Sequence, residues 1–98
     1  MKTSTVVSKE LLDFLKSVAS ESRMKILLLF IDGQERTVNQ ISELVELEQS
    51  TTSEHLTLLK QNGLLLSRKS GKEVYYHPDK NKIVQFLDAL NQLLSKCC

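Results

Sequence analysis

QSTTSEHLTLLKQNG, residues 49–63, changes character halfway along: small hydroxyls fill its first half and leucines its second, and Asn62-Gly63 closes it. At about 100° per residue, Thr52, Leu56 and Leu59 share one face with His55 at its margin, while Ser50, Ser53, Glu54 and Thr57 occupy the opposite one. The leucines pin such a helix and the hydroxyls look outward. Short polar side chains let a helix start come close to a duplex, where hydroxyls and the Gln49 amide can bond to bases or phosphates and threonine methyls can touch thymine. The plainer reading is an ordinary cap, since Ser and Thr are common at helix starts.

The neighbouring segments decide between these readings. Upstream, Thr37 reads as the cap of a short helix in which Val38, Ile41, Leu44 and Val45 repeat at three- and four-residue spacing, followed by a brief linker, Glu46 to Glu48. A short helix, a brief linker and a longer helix make a helix-turn-helix, whose second helix enters the major groove. Further upstream, residues 6–19 place Leu11, Phe14, Leu15 and Val18 on one stripe. Ser20 then caps a second helix over 21–32, closed by Gly33. That helix is apolar almost all round, which predicts a central, buried position. Downstream, LLLSRKSGKEVYYH, residues 64–77, reads as two strands around a tip that carries Arg68, Lys69 and Lys72. Pro78-Asp79 opens a last helix, residues 80–96, with Ile83, Leu87, Leu90, Leu94 and Cys97 spaced alternately four and three apart. The expected fold is mainly α with one small β-hairpin: four helices, the hairpin and a final helix, a winged helix-turn-helix in a single domain over residues 1–98.

Composition narrows the function. With 98 residues, 41% hydrophobic and 26% charged, the chain has room for one domain. The longest apolar run, Ile26 to Ile31, is too short to cross a bilayer, and MKTSTVV lacks a secretory layout, so a cytoplasmic protein without membrane contact is expected. The net charge of +1 is zoned: Asp32 to Glu54 holds six acids against Arg36 alone, whereas Lys60 to Lys82 holds six bases against Glu73 and Asp79. A basic zone is the minimum for phosphate contact. No Ser-His-Asp or Cys-His spacing, phosphate-cradling loop or convergent carboxylate pair appears, which excludes an enzyme. His55 reads as a packed, hydrogen-bonded histidine, and His77 ends a strand with no second histidine nearby.

Four segments together resemble the ArsR/SmtB family of bacterial repressors: residues 22–29 (SRMKILLL), 49–56 (QSTTSEHL), 58–64 (LLKQNGL) and 71–76 (GKEVYY). The likeness covers roughly residues 14–94. It implies a homodimer built on the first and last helices that binds an inverted-repeat DNA operator and is released by an inducer, often a metal. It also implies that Gln49, Ser50 and Ser53 face DNA with the wing bases beside them. The DNA-binding set read from the sequence is therefore Gln49, Ser50, Thr51, Ser53, Glu54, Thr57 and Lys60 on the helix, with Arg68, Lys69 and Lys72 on the wing. Glu54 departs from the basic or polar residue usual in the family, and a carboxylate there is repelled by phosphate unless it accepts from a cytosine amino group.

The family's metal chemistry does not carry over. Its thiolate motif, Glu-Leu-Cys-Val-Cys-Asp-Leu, falls on Glu35-Arg36-Thr37-Val38-Asn39-Gln40-Ile41. Its site between the last helices keeps only Asp79, with Asn81, Gln92 and Ser95 elsewhere. Amides and a hydroxyl make poor zinc ligands, so no metal or other cofactor is expected. Cys97 and Cys98 are either a thiol sensor, able to bind a soft ion or be oxidised, or a chain end that extends the leucine stripe. The apolar stripes of the first and last helices exceed what one small domain covers, which predicts a dimer interface of Leu11, Phe14, Leu15, Ile83, Leu87, Leu90 and Leu94. The rival reading, favoured by the acidic third helix and low net charge, is a winged helix used for protein contact without DNA.

Overall fold

The structure is a computed structural model that describes residues 8–95. Its elements are α1 (Lys9–Val18), α2 (Glu21–Leu28), a 3-10 turn (Leu29–Asp32), β1 (Arg36–Thr37), α3 (Val38–Val45), α4 (Gln49–Gln61), β2 (Leu65–Ser70), β3 (Glu73–Pro78) and α5 (Lys80–Ser95). The first three helices begin at a side-chain oxygen that takes up an otherwise orphaned N–H. Ser8 Oγ accepts from the Leu11 N–H, Ser20 Oγ from the Arg23 N–H and Thr37 Oγ1 from the Gln40 N–H. Gln40 Oε1 returns a bond to the Thr37 N–H at 2.9 Å, completing a capping box. Ser8 lies inside the stretch expected to be helical from Val6, and its cap sets the observed start at Lys9. Val6 itself lies outside the described residues.

The core is a single cluster: Leu11 and Phe14 from α1, Ile26 and Phe30 from α2 and its 3-10 turn, Ile41 from α3, Leu56 and Leu59 from α4, and Leu64 and Leu65 leading into β2. Two expectations are corrected by it. Leu11 and Phe14 were expected at a dimer interface, yet both are buried inside the protomer, where Phe14 stacks on Phe86 of α5 with ring centroids 4.7 Å apart. The second helix was expected to be buried on all sides. Instead Ile26 and Phe30 point inward, Leu28 is 54% exposed and Ile31 is 82% exposed, because a domain this small has no further layer to lay over its outer face. The helix also tightens to 3-10 geometry after Leu28 and ends at Gly33, whose φ of 80° lies in the left-handed region that glycine adopts freely.

The sheet has three strands in the order β1-β3-β2, all antiparallel. The hairpin closes on the two residues Gly71 and Lys72, with Ser70 opposite Glu73 and φ of 63° at Gly71, a pattern that fits a type II′ turn. The third strand is only Arg36–Thr37, paired with Tyr76 and Tyr75, and two residues are too few to show any hydrophobic alternation in the sequence. The radius of gyration is 15.4 Å, against roughly 13 Å for a compact domain of this length, and the extents are 53 × 22 × 20 Å. The excess reflects an elongated protomer in which α5 has no fully buried residue.

Thr52 is fully buried, and its hydroxyl has no hydrogen-bond partner among the described residues. An unmatched buried hydroxyl costs about 1–3 kcal/mol, so Thr52→Val is expected to raise stability by about 1 kcal/mol, whereas Leu56→Ala should lower it by about 2–5 kcal/mol. Urea midpoints check both; a less stable Thr52→Val would show that the hydroxyl is satisfied in solution.

Candidate nucleic-acid interface

The turn between α3 and α4 is three residues long, and Glu46 at its start has φ of 59°, a left-handed conformation that a Cβ disfavours. The Leu47 N–H donates back to Ser42 O at 3.1 Å, and α4 then starts at Gln49. Along α4 the buried positions are Thr52, Leu56 and Leu59, and the exposed ones include Gln49, Ser50, Ser53, Glu54, Thr57 and Lys60. The two faces fall where helical stepping puts them. Thr51 is half-buried between the faces. Glu48 precedes the helix without a side-chain cap bond, unlike the residues that open α1, α2 and α3, so the first turn of α4 keeps its N–H groups and positive dipole end for an outside acceptor.

His55 is half-buried, and its Nδ1 lies 3.4 Å from Arg23 Nη1. A guanidinium only donates, so this ring nitrogen offers its lone pair. Arg23 also donates through Nε to Ser17 O at 2.7 Å and through Nη2 to Lys16 O at 3.3 Å, joining the end of α1 to the middle of α4. Arg23 stands in the sequence only as part of the family-like segment 22–29, with little local to mark this role. Its signal is faint: one of two cations, with Lys25, in a helix that also carries Glu21.

The wing meets α4 along one edge. Lys72 at the hairpin turn and Gln49 at the start of α4 line the same shallow cleft, together with Thr37, Asn39 and Val74. Lys60 Nζ donates to Ser67 Oγ at 2.7 Å and ties α4 to β2. Lys69 and Lys72 are exposed and form no ion pair among the described residues.

Arg68 is differently placed. Its Nε lies 2.9 Å from both carboxylate oxygens of Glu35 and its Nη2 2.6 Å from Oε1, while the guanidinium sits 4.9 Å from the centre of the Tyr75 ring. The bond from Arg68 is the main reason the Glu35 carboxyl is held below its ordinary range, and the same bond raises Arg68 in turn. His77 Nδ1 approaches Glu35 Oε2 to 3.2 Å without hydrogen-bond geometry, so that contact attracts only when the ring is protonated. A parallel pair lies nearby: Arg36 grips Asp32 at 2.6 and 3.1 Å and pulls its carboxyl down to about 2, chiefly through these hydrogen bonds.

The remaining expected residues divide. On α5, Ile83 and Leu90 are half-buried with Phe86 and Leu93 against the core, so the inward face is offset from the stripe read in the sequence. Leu87 and Leu94 face outward at 50% and 62% exposure, joined by Val84 and, on α1, by Leu12, neither of which the sequence reading singled out. Leu15 is half-buried against the core. Asp79 caps α5, its Oδ1 accepting from the Lys82 N–H at 3.2 Å. Cys97 and Cys98 lie outside the described residues. No helix among the described residues is long and apolar enough to cross a membrane.

Comparison with known proteins gives a consistent set of likenesses. Residues 20–67 match the sequence profile of the arsR family of bacterial regulatory proteins. The transcriptional activator HlyU of Vibrio cholerae is 34% identical over 79 residues, which cover 81% of this chain and 72% of that protein. The cadmium resistance transcriptional regulatory protein CadC of Listeria innocua is 35% identical over 75 residues, covering 76% of this chain and 63% of CadC. This chain thus spans about two thirds of the length of these relatives. Among solved structures, the homodimeric winged helix-turn-helix DNA-binding domain Mb0332 of Mycobacterium bovis superposes with a TM-score of 0.71 at 25% identity, covering 96% of this chain and 91% of that one.

Proposed function

The chain belongs to the ArsR family of DNA-binding transcription regulators, and we propose that two copies of it repress transcription by straddling one inverted-repeat operator. That membership favours duplex binding over the reading of a winged helix used for protein contact alone. The observation that carries the proposal is the shared edge of α4 and the wing, where Gln49 and Lys72 line one cleft. A duplex laid against this edge meets the open N–H groups of α4, the hydroxyls of Ser50, Ser53 and Thr57, and two unpaired lysine charges. The lysines contact phosphates, which position the protein, while the hydroxyls and Gln49 read base edges. Glu54 fits only beside an amino donor such as that of cytosine.

The outward ribbon of Val84, Leu87 and Leu94 with Leu12 supports pairing of two protomers through α1 and α5, as does the homodimeric state of the Mycobacterium bovis domain. A two-fold pair presents two α4 helices to half-sites about one helical turn apart. Repression requires only that the bound dimer block polymerase, whereas activation would require a further contact with the transcription machinery. The inducer we propose is thiol-reactive, acting on Cys97 and Cys98, the two thiols of the chain.

Three outcomes are expected. Replacing Lys69 and Lys72 by alanine should weaken binding to all duplexes alike and flatten the salt dependence by about two units of log–log slope, while Ser53→Ala should change the preference among base-pair variants; fluorescence anisotropy over a salt series reads both, and the reverse pattern would show the roles exchanged. Leu87→Glu should convert a dimer to monomers in sedimentation at micromolar concentration, and a wild type already monomeric there would remove the inverted-repeat reading. A Cys97→Ser, Cys98→Ser double variant should stay on its upstream DNA when arsenite or oxidant is added; release equal to that of wild type would exclude the thiols as sensor.

A further inference from the structure

The described residues offer one device that duplex binding by itself does not require. Glu35, in the loop before β1, takes three hydrogen-bond contacts from Arg68 of β2, the one arginine of the wing. The strand order β1-β3-β2 means that Arg68 reaches across the central strand to do so, lying over Tyr75, its ladder partner. A guanidinium fork binds a carboxylate and a phosphate by the same two-pronged geometry. The Arg68 side chain is 53% exposed, open to an incoming anion, and Glu35 is 30% exposed.

We propose that Glu35 is an internal competitor of the DNA backbone for Arg68, so that engagement of the wing exchanges a carboxylate for a phosphate. The inference rests on the duplex-binding reading given above. It assigns Glu35, which touches no base, the role of setting how tightly and how salt-dependently the wing holds DNA. When Arg68 moves to a phosphate, the counterion that the phosphate gives up is matched by one that the vacated Glu35 collects. The exchange therefore adds almost nothing to the salt slope of the wild type. The neighbouring Arg36 does not substitute for Arg68 at Glu35, because both of its terminal nitrogens are bonded to Asp32. His77 is the remaining group facing the carboxylate, at 3.2 Å, and it stays beside Glu35 after the exchange.

The test uses the full chain and a 30-base-pair duplex of random sequence, since a phosphate contact carries no sequence information. Wild type, Glu35→Gln, Arg68→Ala and the Glu35→Gln, Arg68→Ala double variant are titrated over a salt series, with urea melts to verify folding. Expected is a Glu35→Gln affinity roughly fivefold to tenfold higher near 0.1 M salt, with a slope steeper by about 0.9, and loss of both gains in the double variant. An unchanged slope or weaker binding by Glu35→Gln would overturn the proposal and show that the pair is a strut for the wing. A gain retained in the double variant would also overturn it, as mere removal of a negative charge. Wild type that binds while Glu35→Gln shows no gain refutes the exchange alone; wild type that fails to bind refutes duplex binding and the exchange with it.

Discussion

The packing of one side of α4 against the rest of the chain is what everything else leans on. Thr52, Leu56 and Leu59 are fully buried with Ile26, Phe30 and Ile41, and burial of two leucines and a threonine at helical spacing removes enough apolar surface to fix the rotation of the helix about its own axis. Once that rotation is set, Ser50, Ser53, Glu54 and Thr57 have no choice but to face water. Two polar ties add direction to this non-directional force. Arg23 joins the end of α1 to His55, and Lys60 joins the far end of α4 to Ser67 of the wing. The exposed polar face of α4 is thus placed by the core and trimmed by a few hydrogen bonds.

The second theme is charge management around the wing. The basic zone seen in the sequence is real, but its members are not equivalent. Lys69 and Lys72 stand free of ion pairs among the described residues, Lys60 is used as a tether, and Arg68 is already matched by Glu35. Likewise Arg36, the one base of the acidic zone, is matched by Asp32. Formal charge along a chain therefore overstates what is on offer to a partner, since a matched arginine presents little net field. The wing charge left unmatched among the described residues is concentrated at the hairpin tip, next to the open end of α4.

Much of this was legible in the residues. The hydroxyl-then-leucine pattern of residues 49–63 placed both faces of α4, Ser20 and Thr37 announced their caps, and Gly71 marked the hairpin turn. These signals are local, and local chemistry is what a sequence displays. What escaped was set by contacts distant in the chain. Leu11 and Phe14 have the same stripe spacing whether they meet a second copy or the core; what decides it is packing distant in the chain, Phe86 of α5 stacking on Phe14 and both residues joining the central cluster. Leu28 and Ile31 look buried in an apolar run, yet among the described residues no element lies over them. Arg68 reads as a free base until Glu35, 33 positions earlier, is brought beside it.

The hairpin itself has a mechanical consequence. Two six-residue strands closed by a two-residue turn form a bar of roughly 20 Å, braced at its side by the two-residue strand and at its root by the Lys60 tether. A bar so short and so braced holds Lys69 and Lys72 at a set distance from α4; against a duplex bound as proposed above, lysines so held would act as a caliper on groove width. Duplexes whose minor groove narrows at the right step would fit it with little deformation, and sites would then be sorted by the shape of base pairs that no side chain touches.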